Sequence, residues 1–234
     1  MTAFKIWDSL LRHYVDDRGR VDYQSWKAKS EDTLHAWLSE IRDLDHPHSH
    51  DANTQLAFWI NLYNALCIQQ VLKHYPITSI RPKILGIPNW IGFLWFFLHP
   101  IYQLGDRRYS LNRIEHRVLR RQFQDPRIHF ALVCAAVGCP LLRNEAYLPE
   151  TVQTQLEEDA QRFIQNPDKV RYEARDRTLY CSKIFKWYHR DFLQVAPSIP
   201  DYIQNYLTAP MPMGDEVNVR YLPYDLSLNQ RTSS

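Results

Sequence analysis

The tripeptide Gly138-Cys139-Pro140 sets a thiol between the two residue types that most constrain a backbone. Proline is favoured at the first position of a helix, where its missing N–H costs nothing. Read that way, Cys139 is an N-cap whose sulfur faces unpaired N–H groups and the positive end of a helix dipole, an environment that favours thiolate. A thiolate is a nucleophile or a metal ligand; the plainer alternative is a small buried residue in a turn that Gly138 permits. Glu115, His116 and His129 are the ionisable groups that would serve such a nucleophile. An imidazole facing the thiol gives a thiolate–imidazolium pair, whereas a buried glutamate there would raise the thiol pKa.

The elements that must position these groups follow from periodicity. The apolar run from Ile128 to about Ala135 reads as a buried strand that delivers the thiol to a helix beginning at Pro140. Tyr109 to Phe123 reads as a helix with Leu111, Ile114, Val118, Leu119 and Phe123 apolar, which puts Glu115 inside the apolar arc, hence buried, and His116 at its edge. Asp125-Pro126 turns the chain between them. Six residues of strand rise about 20 Å, so His129 and Cys139 stand at opposite ends of the element. The helix returns over about 18 Å, which brings Glu115 or His116 closer to the thiol than His129. Adjacent helix positions diverge, so only one of that pair faces the sulfur.

A helix capped by Asn53 or Thr54 and running to about His74 is apolar on nearly every face and is predicted to be the buried centre of the molecule. Within it Asn61 and Asn64 share a face and, with Tyr63, form a candidate substrate-binding set: the amides either polarise an acyl oxygen or tie down loop backbone. Further helices are predicted over Phe4 to Tyr14, Ser25 to Leu44, Glu150 to Gln165 and Lys183 to Leu193, with a short one near Tyr202 to Leu207. Val170-Arg171-Tyr172 and Thr178-Leu179-Tyr180 form a hairpin. The class is α+β: a helix-rich single domain spanning residues 1–234, with a small sheet and a buried central helix.

Composition closes off several functions. A net charge of +2 with interspersed signs gives no field for a nucleic-acid backbone, and Arg117, Arg120, Arg121 and Arg127 read as a solvated face. With six glycines there is no phosphate-binding or dinucleotide loop, and no cofactor is expected. Cys67, Cys134, Cys139 and Cys181 lack C-x-x-C pairing, and the N-terminus lacks an apolar signal core, so four free thiols in a cytoplasmic protein are expected. His46, His48 and His50 alternate in a polar loop and read as solvated. A metal set of Cys134, Cys139, His116 and His129 is weakened because positions 129 and 134 of a strand face opposite ways. Ile84 to Gly105 holds 22 residues without a charge, but Gly86, Pro88, Asn89, Gly92 and Pro100 break it. No membrane span follows; a loop or hairpin does, with the aromatic stretch 90–97 as a possible partner contact.

Ala57-Phe58-Trp59-Ile60-Asn61-Leu62-Tyr63-Asn64-Ala65, Ile114-Glu115-His116-Arg117-Val118-Leu119-Arg120, Asp125-Pro126-Arg127-Ile128-His129-Phe130-Ala131-Leu132-Val133-Cys134 and Gly138-Cys139-Pro140 together resemble the domain-of-unknown-function 547 family. Ser182 to Phe192, containing Trp187-Tyr188-His189-Arg190-Asp191, and Tyr224 to Asn229 resemble its later blocks. Leu226 stands where the family is expected to carry tryptophan, which touches one packing contact. The resemblance implies a fold-sized unit of the free-standing, bacterial type, without the coiled coil that precedes the domain in plant relatives, and it implies no reaction.

Three functions then compete. The first is a cysteine-dependent hydrolase or acyl transferase acting on a small molecule or peptide, with Cys139 as nucleophile, His116 or else His129 as base, Glu115 beside them, and Asn61 or Asn64 on the acyl oxygen. The second is a non-catalytic interaction module in which the same Glu, His and Asn residues form a buried polar network. The third is the Cys/His metal site.

Overall fold

The computed structural model describes residues 4–42, 51–81, 83–84, 87–208, 211 and 217–231; His46, His48 and His50 lie outside them. Helices α1 (Lys5–Tyr14) and α2 (Tyr23–Arg42) pack through tryptophans, Trp7 stacking on Trp37 with ring centroids 5.5 Å apart. α2 is kinked at Ser30, whose φ of −145° leaves the helical region and whose hydroxyl lies 2.8 Å from that of Tyr14. Helix α3 (Ala52–His74) is buried from Leu56 through Ile68, as its all-round apolar character requires. Its cap is Asp51, which accepts from the amides of Asn53 and Thr54, and not either of those two residues: a carboxylate outcompetes them for the same N–H groups.

The uncharged stretch after α3 is more regular than expected. Strands β1 (Lys83–Ile84) and β2 (Ile87–Pro88) pair, and a hairpin of β3 (Tyr102–Leu104) and β4 (Arg107–Tyr109) closes it, but between them stands a helix, α4 (Trp90–Leu98). Asn89 caps α4 by accepting from the Gly92 amide. A helix with no polar face offers no 3.6-residue alternation from which to read it. Among the described residues no helix is long and apolar enough to cross a membrane.

The predicted helix 109–123 is present as α5 (Leu111–Arg113), a π-helical turn (Ile114–Leu119) and α6 (Arg120–Phe123) in unbroken succession. The expected strand after it is instead one turn of helix, α7 (Ile128–Ala131), followed by extended chain. Asp125 receives the Arg127 amide and Pro126 opens the turn. A short run that is buried on every side carries no period to separate strand from helix. Pro140 starts no helix either, since none lies between α7 and α8 (Val152–Ile164). The segment pairs instead with the C-terminal part of the chain, Val137 N–H to Ser227 O and Gly138 N–H to Asp225 O, each at 2.8 Å. Gly138 is needed for that approach, because a Cβ there would come within 2.8 Å of the Asp225 carbonyl.

The predicted hairpin is β5 (Val170–Glu173) with β6 (Thr178–Cys181), and β7 (Asn218–Tyr221) adds to β6 in parallel. α9 (Lys183–Trp187) and α10 (His189–Phe192) are separate short helices because the chain breaks at Tyr188; α11 (Ile199–Gln204) follows. The larger apolar cluster surrounds α3, and a second gathers Phe130, Phe163, Phe185 and Phe192. Phe130 of α7 belongs to the second while its neighbours Ile128 and Ala131 belong to the first, so this one turn joins both into a helix-rich α+β fold.

Candidate functional site

Cys134 and Cys139 form a disulfide, with Cα atoms 6.2 Å apart, while Cys67 and Cys181 are free and buried. The expectation of four free thiols is therefore corrected to two. What brings the pair together is a tight loop: Ala135 adopts φ 62° and the Cys139 amide bonds back to the Ala136 carbonyl at 3.0 Å. A non-glycine residue in the left-handed region is uncommon and is held there by its surroundings. Cys139 is thus no helix N-cap. Its sulfur has two other donors, the Cys134 N–H and the Tyr224 hydroxyl, each at 3.1 Å.

Both cysteines border a cavity of about 280 Å³ that also receives Glu115, His116, His129 and Tyr63. Glu115 and His116 both border it from the π-helical turn. Such turns recur at functional sites. Glu115 is buried as predicted and accepts from the hydroxyls of Tyr63, at 3.4 Å, and Tyr188. Burial pushes both phenols well above their ordinary range, with the charge of Glu115 adding to it, so they stay donors.

His116 accepts at Nδ1 from Arg120 at 2.8 Å, because a guanidinium only donates; the ring hydrogen is left on Nε2. His129 is held differently. Its Nε2 lies 2.8 Å from an Asp191 carboxylate oxygen, and its ring stacks on Tyr188 with centroids 3.7 Å apart. Asp191 also takes a bidentate pair from Arg120, at 2.6 and 2.8 Å, and the hydrogen bonds from His129 and Arg120 overcome its desolvation to hold its pKa far below the usual carboxylate range. Burial lowers the pKa of His129 despite Asp191, which favours a neutral ring donating from Nε2. Thus Arg120, placed by sequence on a solvated face, is a structural cation that organises two histidines.

The amides of α3 do not reach the cavity, although Tyr63 beside them does. Asn61 accepts from Trp7 Nε1 and the Tyr147 amide and donates to the Tyr147 carbonyl at 2.7 Å. Asn64 donates to Ala131 O at 2.9 Å and accepts from Val133 N–H at 3.0 Å. All their strong bonds go to the chain itself, and Asn64 thereby fixes the backbone immediately ahead of Cys134. Apart from Asn112 and Tyr224, the remaining cavity wall is apolar, with Phe93, Leu94, Phe97 and Leu98 from α4 and Trp187 and Leu226 among its residues. Among the described residues no three His, Cys, Asp or Glu side chains are grouped to hold a metal ion.

Sequence reasoning missed Tyr188, Asp191 and Tyr224. All three lie in blocks that carry the family resemblance, but their approach to residues 115, 129 and 139 spans 62 to 85 positions and has no local signature. The family model described as "Protein of unknown function, DUF547" matches residues 47–164, which include α3, the π-helical turn and both cavity cysteines. No curated protein and no solved structure matches the chain.

Proposed function

The chain belongs to the domain-of-unknown-function 547 family, a name that carries no reaction, and from the cavity itself we propose a thiol–disulfide oxidoreductase in which Cys134–Cys139 is the redox bond. The observation that carries this reading is the pair of donors on Cys139 Sγ. Cys134 is the less buried of the two cysteines and Cys139 is 2% exposed. A substrate thiolate attacks Sγ of Cys134; the sulfur–sulfur bond breaks and its electron pair leaves on Cys139, where the Cys134 N–H and the Tyr224 O–H receive the charge. Nδ1 of His129 takes the proton of the incoming thiol. A second substrate thiolate attacks the substrate sulfur of the mixed disulfide, releasing the oxidised substrate and the Cys134 thiol. Two substrate thiols lose two electrons and two protons to the protein, and a disulfide-bearing acceptor restores it by the reverse exchange. In a reducing compartment such a bond is transient and catalytic. The small cavity and its apolar wall suit a low-molecular-weight or peptide thiol with an apolar flank.

The experiment is mixed-disulfide trapping. Incubated with a fluorescent thiol disulfide, Cys139→Ser accumulates the label on Cys134, and Cys134→Ser does not hold it on Cys139 to the same extent. Equal labelling of both, or none on either, sinks the proposal.

A second reading is favoured by His129, which borders the same cavity as Cys139 and is paired with Asp191. After reduction, Cys139, His129 and Asp191 supply a nucleophile, a base and its orienting carboxylate for a hydrolase or acyl transferase. Cys134→Ser separates the two, since it abolishes disulfide exchange and leaves acyl transfer intact.

A further inference from the structure

We propose that α4 is an interfacial docking helix that seats the protein on an anionic lipid bilayer, with the cavity beside it opening toward the lipid. Its nine residues, Trp90-Ile91-Gly92-Phe93-Leu94-Trp95-Phe96-Phe97-Leu98, include no charged or amide side chain. The inward face is Phe93, Phe96 and Phe97, of which Phe96 is 9% exposed. The outward face is Ile91, Leu94, Trp95 and Leu98, spaced i, i+3, i+4, i+7, and these are 80%, 51%, 62% and 51% exposed, with Trp90 at 56%. A helix apolar all round is normally buried, and a contiguous apolar stripe facing water marks a docking surface.

Length and charge choose the occupant. Nine residues rise about 13 Å, far short of the roughly 30 Å of a hydrocarbon core, so α4 lies in the plane of the interface, where tryptophan is favoured. The rim is basic. Arg81 sits over the Trp90 ring at 4.9 Å, Arg107 and Arg108 are exposed on the hairpin that follows, and Arg113 is exposed on α5, which packs against α4. Between residues 76 and 121 the acids are Asp106 and the buried Glu115 alone. An apolar stripe rimmed by arginines matches acyl chains beneath anionic headgroups, whereas an apolar protein groove calls for no such rim. Leu94 and Leu98 are both exposed and part of the cavity wall, which places the cavity mouth at the docking face. The docking does not depend on the chemistry proposed for the cysteines.

Flotation of the full chain with vesicles of phosphatidylcholine alone, and with added phosphatidylglycerol, tests this. The protein floats with the anionic vesicles and its tryptophan emission shifts to the blue. Ile91→Asp with Trp95→Ser, both at exposed positions and so compatible with an unchanged circular dichroism spectrum, lowers partitioning at least tenfold. Arg107→Ala with Arg108→Ala lowers it on anionic vesicles by roughly 25-fold, about fivefold per charge. Absence of flotation on anionic vesicles overturns the proposal, as does flotation that Ile91→Asp with Trp95→Ser leaves unchanged. A lipid-independent dimer or protein complex that this variant abolishes, in a chain that ignores vesicles, also overturns it and assigns the stripe to a protein partner.

Discussion

The Tyr224 hydroxyl donates to Sγ of Cys139 at 3.1 Å and lies 3.5 Å from Sγ of Cys134, so a single phenol touches both ends of the disulfide. Burial and the nearby charge of Glu115 push its own pKa up, which keeps it a donor across the physiological range. Tyr224→Phe removes one of two donors to the Cys139 thiolate. A hydrogen bond to a charged group is worth about 1.5–3 kcal/mol, so the thiol pKa of Cys139 rises by roughly one unit or more. The pH dependence of iodoacetamide alkylation of the reduced protein, read at each cysteine, measures the change.

Thiol titration of the denatured, unreduced chain gives two thiols, Cys67 and Cys181, and four after reduction. In the native fold both free thiols resist reagents, since desolvation pushes Cys181 up to about 12 and Cys67 further.

Asn64→Ala leaves the Ala131 carbonyl and the Val133 amide without partners in a buried setting. The expected loss is about 2–4 kcal/mol, read as a lower urea midpoint at unchanged slope, together with slower disulfide exchange because the backbone ahead of Cys134 is no longer fixed.

The acid dependence of stability carries the signature of His129. An unfolded imidazole titrates near 6.5, and burial holds the native one lower, so between those two values the unfolded chain binds more protons and stability falls as pH drops. His129→Gln removes that part of the slope. Urea midpoints of the two proteins at pH 7.5 and 5.5 test it: the difference between pH values shrinks in the variant. The range stays well above the region where Asp191 takes up its proton.

Gly138→Ala brings a methyl group against Asp225 and the Tyr224 ring, at 2.8 to 2.9 Å. Either the cysteine loop or the C-terminal segment must move, so the Tyr224 contact is lost without touching Tyr224 itself. Alkylation of Cys139 in this variant follows that of Tyr224→Phe, at a lower thermal midpoint.

What the sequence discloses and what it conceals divide along physical lines. The burial of α3 and of Glu115 is written in local periodicity, and both are found as read. The Cys139 environment is not local: the donors to its sulfur are a backbone amide five residues back and a phenol 85 positions away, not a helix N-terminus. The segment 128–135 is apolar apart from His129, so burial was legible and conformation was not. The disulfide depends on the left-handed backbone of Ala135, which no residue preference announces. His116 and Glu115 border one cavity from a π turn, and nothing in the 3.6-residue pattern marks that winding.

The pairing of the cysteine loop with residues 225–229 has a consequence for biosynthesis. Ala135, Val137 and Gly138 close their backbone hydrogen bonds on Asn229, Ser227 and Asp225, and Tyr224 arrives with the same segment. On the ribosome these partners emerge some ninety residues after the loop they complete. Until then the loop lacks both these backbone partners and the phenol that donates to Cys139. The surroundings of the pair are therefore completed in one step, when residues 224–229 dock on the cysteine loop.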